Sequence, residues 1–572
     1  MKRLFLFSLL LSFLTSSLHA TVVLPEVDED YFRSPVDIPI YLSGTFGEPR
    51  STHFHTGIDI KTEGVEGKKI YAVADGYISR VSVSPYGYGN ALYITHSNGM
   101  VSVYAHLQKF SSEVQEWTKQ QQHILTSFAV NLTNLDPNLF PVKKGDIIAI
   151  SGNSGGSGGP HLHFELRDSQ EHPVNPLLYG FKDWLTDYAK PSIYNVFFYS
   201  LGEEKQFTAS KKIKPTMISS GNYTISNTVR VNSKNLGIGI HTIDLFTNSN
   251  NKNGVYAIKL FDNDELIFHY QVDILSFDFT KHVYSHCDYW QKKNHNNTVH
   301  KCYVEKGNQL PTYPMRLDNA GILLDSNDEL KFRIEVSDFH GNTSKTTFEV
   351  AYDSSARFFQ AKPAEYTSLF SAEERNYYRT DNIQIDFTEN VFFDDLCFQY
   401  HERPHDMLGP YFDIHNSQIP VSKYFDISLR YNKIDSAYLD KYLIAYYDYQ
   451  NQKQSIGGKI REGFIHGKTR ALGTYFIDID TVAPKVTPLN ISDGKTMTSH
   501  KLIQFKVVDE FSGIDEYNAF VNGHWVVLSY DAKRDLMSYF IDEYTVKGEN
   551  KLEILVADER ENISYQAYTF NY

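Results

Sequence analysis

His161-Leu162-His163-Phe164-Glu165-Leu166-Arg167 is the stretch that decides how the first third of this 572-residue chain folds. Polar and apolar side chains alternate through it. It therefore reads as a β-strand with His161, His163 and Glu165 on one face and Leu162, Phe164 and Leu166 on the other. Same-face neighbours on a strand stand ~6.6 Å apart. At that spacing one imidazole can bind a metal while the other reaches a bound water. The preceding run, GNSGGSGGP over 152–160, carries no bulky side chain and leaves room for a peptide to approach.

Outward from this strand, residues 41–167 break into short strands separated by glycine turns. Lys69–Ala74, Tyr77–Val83, Ala91–His96, Val101–His106 and Ile147–Ser151 are expected strands. Asp75-Gly76, Tyr86-Gly87-Tyr88-Gly89 and Ser97-Asn98-Gly99 mark the turns. Between about 111 and 140, the polar-rich stretch SSEVQEWTKQQQHILTSFAV predicts a helical insertion. The expectation is a compact antiparallel β module with one helix.

Beyond Pro191 the runs YAIKLFD, LKFRIEVSD, IQFKVVD and KLEILVAD alternate like half-buried strands. The whole chain is thus expected to be mostly β, an antiparallel module followed by several Ig-like β-sandwiches. Aromatic residues at 14% agree, since strands favour them. Boundaries are expected at 21–190, 191–355, 356–482 and 483–572, with Asp480–Pro484 as the last linker. An echo runs through the sandwiches: Asp338 is followed by Asn342, Asp558 by Asn562, and Asp448 by Asn451. Asn522-Gly523 reads as a hairpin turn after DEFSGI at Asp509–Ile514.

The balance of 55 Lys and Arg against 69 Asp and Glu gives a net charge of −14, which argues against a nucleic-acid partner. Residues 1–20, MKRLFLFSLLLSFLTSSLHA, have the basic start, apolar run and small-residue end of a secretory signal peptide. No later run reaches the ~18 apolar residues of a membrane span. The expected address is across the inner membrane, periplasmic or extracellular. The three thiols are Cys287, Cys302 and Cys397; Cys287 and Cys302 could bridge in an oxidising compartment. His286, His295 and His300 crowd the same loop, but their spacing fits no closed zinc pattern, and a wet polar loop is the expectation.

A second cluster is His53-Phe54-His55-Thr56-Gly57-Ile58-Asp59. A His and an Asp four residues apart can converge on one ion, with Gly57 letting the loop curl. Two neutral imidazoles and a carboxylate would form a three-ligand Zn²⁺ site with a position left for water. His106 ends the Tyr104-Ala105-His106-Leu107 phrase as a third element. His53 reads as a loop residue, His96 as structural, and Asn90 as the holder of a turn. Glu165 either supports a ligand or is a solvated rim charge.

Residues 44–168 resemble the M23 (lysostaphin/LytM-type) zinc metallopeptidase domain. The resemblance rests on HTGIDI, AVADGYISRV, YGYGNALYITHSNGMVSVYAHL and VKKGDIIAISGNSGGSGGPHLHFELR, in that order. It implies one Zn²⁺ held by His55, Asp59 and His163, with His106 and His161 as catalytic residues. It also implies a metalloendopeptidase acting on peptidoglycan peptides, with the tail contacting wall or protein partners. A non-hydrolytic wall-binding or hydrolase-activating protein of the same fold is the competing expectation. The insertion at 111–140 departs from the compact members of the family.

Overall fold

The computed structural model describes residues 24–572 apart from 29, 202–209, 248, 319–320, 326–328, 359–365 and 406. The expected signal peptide therefore lies outside the described residues. In the first module the elements are β1 (Leu42–Gly44), β2 (Ile58–Lys61), β3 (Lys69–Tyr71), β4 (Gly76–Val83), β5 (Asn90–His96) and β6 (Val101–Phe110). They are followed by α1 (Ser112–Leu125), β7 (Val130–Leu132), β8 (Pro141–Val142), β9 (Ile147–Ser151), β10 (His161–Arg167) and β11 (Pro173–Val174). The main sheet runs β1-β2-β10-β6-β5-β4-β7, with β9 joining β3 to β6.

β10 lies between two antiparallel partners. Its register sets His163 opposite Asp59 on β2 and opposite Ala105 on β6. The apolar face is fully buried: Leu162, Phe164 and Leu166 are 0% exposed, and Phe164 stacks on Phe181 with ring centres 5.0 Å apart. That anchoring turns the other face, with its two histidines, to the side of the sheet on which the Asp59 carboxylate lies. β6 runs past the expected end at His106 to Phe110, because His106 takes a left-handed φ of +59° and the register slips beside it instead of the strand stopping.

Gly57 has an ordinary φ, so its role is not loop curling. A Cβ there would meet the Phe164 carbonyl oxygen at 2.3 Å, and only glycine lets the backbone before β2 press against β10.

The insertion is a helix as expected, although it covers only the first half of the segment. Val114, Thr118 and Gln122 recur every four residues and form its buried face. A second stripe of it, Lys119 and His123, meets the last module. Lys119 pairs with Asp542 and Glu543, and the His123 ring meets Trp525 at 5.2 Å and Tyr544 at 5.3 Å. Helix α1 is thus the seat of the last module. Beside it, Lys533 Nζ donates to the Asn153 carbonyl at the start of the glycine-rich run.

The rest of the chain is strand-rich. Sheets of five and seven strands lie between 192 and 352, two of five between 376 and 479, and sheets of four and five between 485 and 571. The first of these regions shares one continuous apolar core with the β1–β11 module. Asn522 and Gly523 make the expected two-residue hairpin, both with positive φ.

The expected wet loop is not one. His286 and His300 are each 1% exposed and bond to each other at 2.8 Å; only His295 faces solvent. The short strand Val299–Lys301 adds to the sheet edge and turns His300 inward. Cys287 and Cys302 are buried, unbridged thiols.

Candidate metal centre

Three ligand-type atoms converge where β2, β10 and the loop before β2 meet. His55 Nε2, His163 Nδ1 and Asp59 Oδ1 lie pairwise 3.0 Å apart. All three residues are buried, at 5%, 4% and 7% exposure. Lone pairs brought this close repel one another unless a proton or a metal ion stands between them.

The opposite side of each group is already engaged. His55 Nδ1–H donates to the Thr45 carbonyl at 2.8 Å, which leaves Nε2 as the lone-pair atom. His163 Nε2–H donates to Glu165 Oε1 at 2.9 Å, which frees Nδ1. Arg50 Nη2 donates to Asp59 Oδ2 at 2.8 Å, which leaves Oδ1. Partners of this kind fix the tautomer and aim of metal ligands. The donor set of two imidazoles and a carboxylate, with one atom of each aimed inward, fits Zn²⁺.

Electrostatics agree. Burial disfavours a charge on His163, but hydrogen bonds to Asp59 and Glu165 outweigh it and raise the imidazole to about 9 without metal. Asp59 is held well below the usual carboxylate range: burial pushes it up, and the three neighbouring imidazoles outweigh that. The pocket therefore draws positive charge, and a proton and a metal ion compete for the same nitrogen.

Glu165 is 0% exposed, so it is not a rim charge. Its Oε1 accepts from Thr56 Oγ1 at 2.6 Å and from Tyr88, and Oε2 accepts from Arg167 Nε at 2.7 Å. Burial pushes its carboxyl up, but Arg167 and His163 overcome this and hold it well below the usual range.

His161 and His106 stand beside the ligands, their ring centres 4.8 Å apart. His161 Nδ1–H donates to the Gly159 carbonyl at 2.8 Å, and His106 Nδ1–H to the Ser154 carbonyl at 2.9 Å. Each ring thus keeps Nε2 as an acceptor, and His161 Nε2 lies 3.4 Å from Asp59 Oδ1. Burial and the neighbouring imidazoles push His106 down to about 3, so it is neutral near pH 7. Its left-handed backbone is a strained conformation of the kind that clusters at working sites.

All five residues singled out from the sequence therefore meet in one pocket. His53 is exposed outside it, and His96 is a satisfied core residue bonded to the Asp75 carbonyl and Ser102. Asn90 holds no turn: it starts β5, and its Nδ2 donates to the Leu107 carbonyl at 3.1 Å beside His106. Thr45, Arg50, Thr56 and Tyr88 were not singled out, because nothing local to their positions in sequence reveals which ligand they touch.

Comparisons place this pocket among known proteins. The profile of Peptidase family M23 matches residues 53–140 and 140–176, and that of the Zu5-like domain matches 367–480. The DD-carboxypeptidase/endopeptidase Mpg of Neisseria meningitidis is 35% identical over 123 residues, 22% of each chain. The murein hydrolase activator NlpD of Escherichia coli is 34% identical over 135 residues, 24% of this chain and 28% of that one. A solved catalytic domain of the prophage-encoded M23 protein EnpA from Enterococcus faecalis is 26% identical. It covers 26% of this chain and 98% of that one, with a TM-score of 0.20. The chain spans only about a fifth to a quarter of the length of the curated relatives it matches.

Proposed function

We propose, from the premise that residues 53–176 form a peptidase family M23 domain, that the protein is a zinc metalloendopeptidase hydrolysing peptide cross-links of peptidoglycan. The observation that carries this reading is the 3.0 Å triangle of His55 Nε2, Asp59 Oδ1 and His163 Nδ1. A full ligand set favours hydrolysis over a purely activating role. Residues 1–20, read as a signal peptide, would carry the protein across the inner membrane, and among the described residues no helix is long and apolar enough to span one.

When bound, Zn²⁺ supplies a Lewis acid and a water of lowered pKa. His55, Asp59 and His163 hold it, oriented by Thr45, Arg50 and Glu165. His106, held neutral by burial and the neighbouring imidazoles, and His161 present Nε2 on the same side of the pocket. One accepts the proton of the attacking water on Nε2 and returns it to the leaving amine; the other, once it has taken up a proton from solvent on Nε2, donates to the tetrahedral oxyanion. The glycine-rich run 152–160 supplies both carbonyls that orient these rings and keeps side chains out of the approach.

The test is digestion of purified sacculi followed by mass spectrometry of the released peptides. Zinc-dependent release of peptides with one new amine and one new carboxylate is expected from the full chain. The reading fails if zinc-loaded protein releases nothing beyond what the His163→Ala variant releases.

A further inference from the structure

Two buried carboxylates, Asp187 and Asp338, come together with His340 where the first module joins the next, and a third carboxylate, Asp244, lies close enough to be repelled by both. Asp187 lies in the segment leaving the first module, Asp244 follows strand Asn235–Ile243, and Asp338 opens the turn after strand Glu329–Ser337. They are 4%, 1% and 4% exposed. Ligand-type atoms of Asp187, Asp338 and His340 all lie within 4.8 Å of one another. Asp244 is repelled by both Asp338 and Asp187. Burying such a group uncompensated is strongly unfavourable.

Several polar atoms in this cluster have no hydrogen-bond partner. Asp187 Oδ1 accepts from Ala189 N, Thr247 N and Thr247 Oγ1, but Asp187 Oδ2 and Asp244 Oδ1 have no partner. Asn253 faces Asp244 through reciprocal backbone bonds of 3.0 and 2.8 Å, so the two side chains project to the same side. Asn253 is 2% exposed, and neither its side-chain oxygen nor its nitrogen is bonded. His340 Nε2 is buried and unbonded as well. A cavity of about 20 Å³ opens beside Asp244, Asp338 and His340, enough for one water or small ion.

The chain supplies its own control, because it builds this corner twice. Asp187-x-x-x-Pro191 is matched by Asp480-x-x-x-Pro484, and Asp338, Asn342 and Ser344 by Asp558, Asn562 and Ser564. Asn342 Nδ2 donates to Asp338 Oδ2 at 2.7 Å and to the Asp187 carbonyl at 3.2 Å. Asn562 repeats this with Asp558 and the Asp480 carbonyl at 2.7 and 3.1 Å. Asp509 takes the place of Asp244, with its carboxylate near those of Asp480 and Asp558. The second corner, however, is closed by backbone donors. Ser512 N donates to Asp480 Oδ2, and Phe511 N and Gly513 N donate to Asp509 Oδ2. The first corner leaves oxygens bare where the second fills them.

We propose that Asp187, Asp338 and His340, with Asp244 and the Asn253 side-chain oxygen as further ligands, bind one divalent cation of the Ca²⁺ or Mn²⁺ kind at this junction. Carboxylate and amide oxygens suit both ions, and the imidazole of His340 beside Asp187 and Asp338 tilts the choice towards Mn²⁺. The site does not depend on the activity proposed for the zinc pocket, although Thr45, which lines this cavity, also offers its carbonyl to His55.

Zinc-loaded full-length protein, in which the first pocket is filled, is titrated with Ca²⁺ and separately with Mn²⁺ by calorimetry, with thermal unfolding in parallel. One cation per chain and a raised Tm are expected. Asp244→Asn and Asn253→Ala should each weaken binding by about tenfold or more, and Asn253→Ala keeps the probe usable if the charge variant folds poorly. Asp509→Asn should leave cation binding unchanged. His340→Ala should weaken Mn²⁺ more than Ca²⁺. Absence of both heat and Tm response with either cation overturns the proposal. So does loss of binding in Asp509→Asn with retention in Asp244→Asn.

Discussion

The Nε2–H of His163 donates to Glu165 Oε1 across 2.9 Å, and no part of Glu165 reaches solvent. Two residues apart on β10, they form one unit: a ligand and the carboxylate that fixes its tautomer and raises its basicity. Glu165→Gln keeps the shape and an acceptor but removes the charge, so zinc affinity should fall by about 10–100-fold. Glu165→Ala should also destabilise the fold by about 3–5 kcal/mol, because Arg167 loses its buried partner. Competition with a chelator and urea unfolding measure the two effects. Unchanged zinc affinity in both variants would remove Glu165 from the metal centre.

Binding and catalysis should separate by mutation. His163→Ala should lose zinc. His106→Ala and His161→Ala should keep it while hydrolysis falls by about 10²-fold or more. Elemental analysis and turnover on sacculi are the paired measurements, and near-normal turnover in both of the latter would refute the assigned roles.

Zinc binding should expel a proton. The metal-free His163 holds its proton up to about 9, above the ordinary histidine value, whereas the metal-bound ring must be neutral at Nδ1. The protonated form thus dominates below about 9 and opposes the metal. Apparent zinc affinity should therefore rise by about tenfold per pH unit between 7 and 8.5 and level off above 9. Calorimetry in buffers of different ionisation enthalpy should find about one proton released at pH 7. Zinc uptake with no proton release would contradict this account of the pocket.

Helix α1 should be held to the last module by rings more than by charge. The Lys119 pairs are partly exposed, and Glu543 is 66% exposed, so Lys119→Ala should cost less than about 1 kcal/mol. Trp525 and Tyr544 flank His123, and Trp525→Ala should cost more. Hydrogen exchange over Ser112–Leu125 should rise more for Trp525→Ala. A larger rise for Lys119→Ala would reverse the ranking.

What the sequence reveals tracks the range of the interaction. The two faces of β10 follow from alternation within seven residues, and the five pocket residues from four phrases in a fixed order. The pairing of His163 opposite Asp59 is a register between distant strands, and no local pattern encodes it. Arg50 and Thr45 escaped for the same reason. His300 was misplaced because its strand, Val299–Lys301, is three residues long and too short to alternate visibly. The turn echo was real but off by one in its third copy. Asp448 Oδ1 accepts from Gln452 N, the place that Asn342 and Asn562 hold after Asp338 and Asp558. Asn451 instead takes the left-handed position before it.

The contact between α1 and the last module joins Lys119 to Glu543, 424 residues further along. Because one chain carries both partners, that contact forms at an effective concentration set by the intervening modules instead of by the amount of protein in solution. A few ring contacts, too weak to hold two separate molecules together, can then keep the far end of the chain seated beside Asn153. Cutting the chain between the two ends would leave every contact surface intact and yet release the last module on dilution.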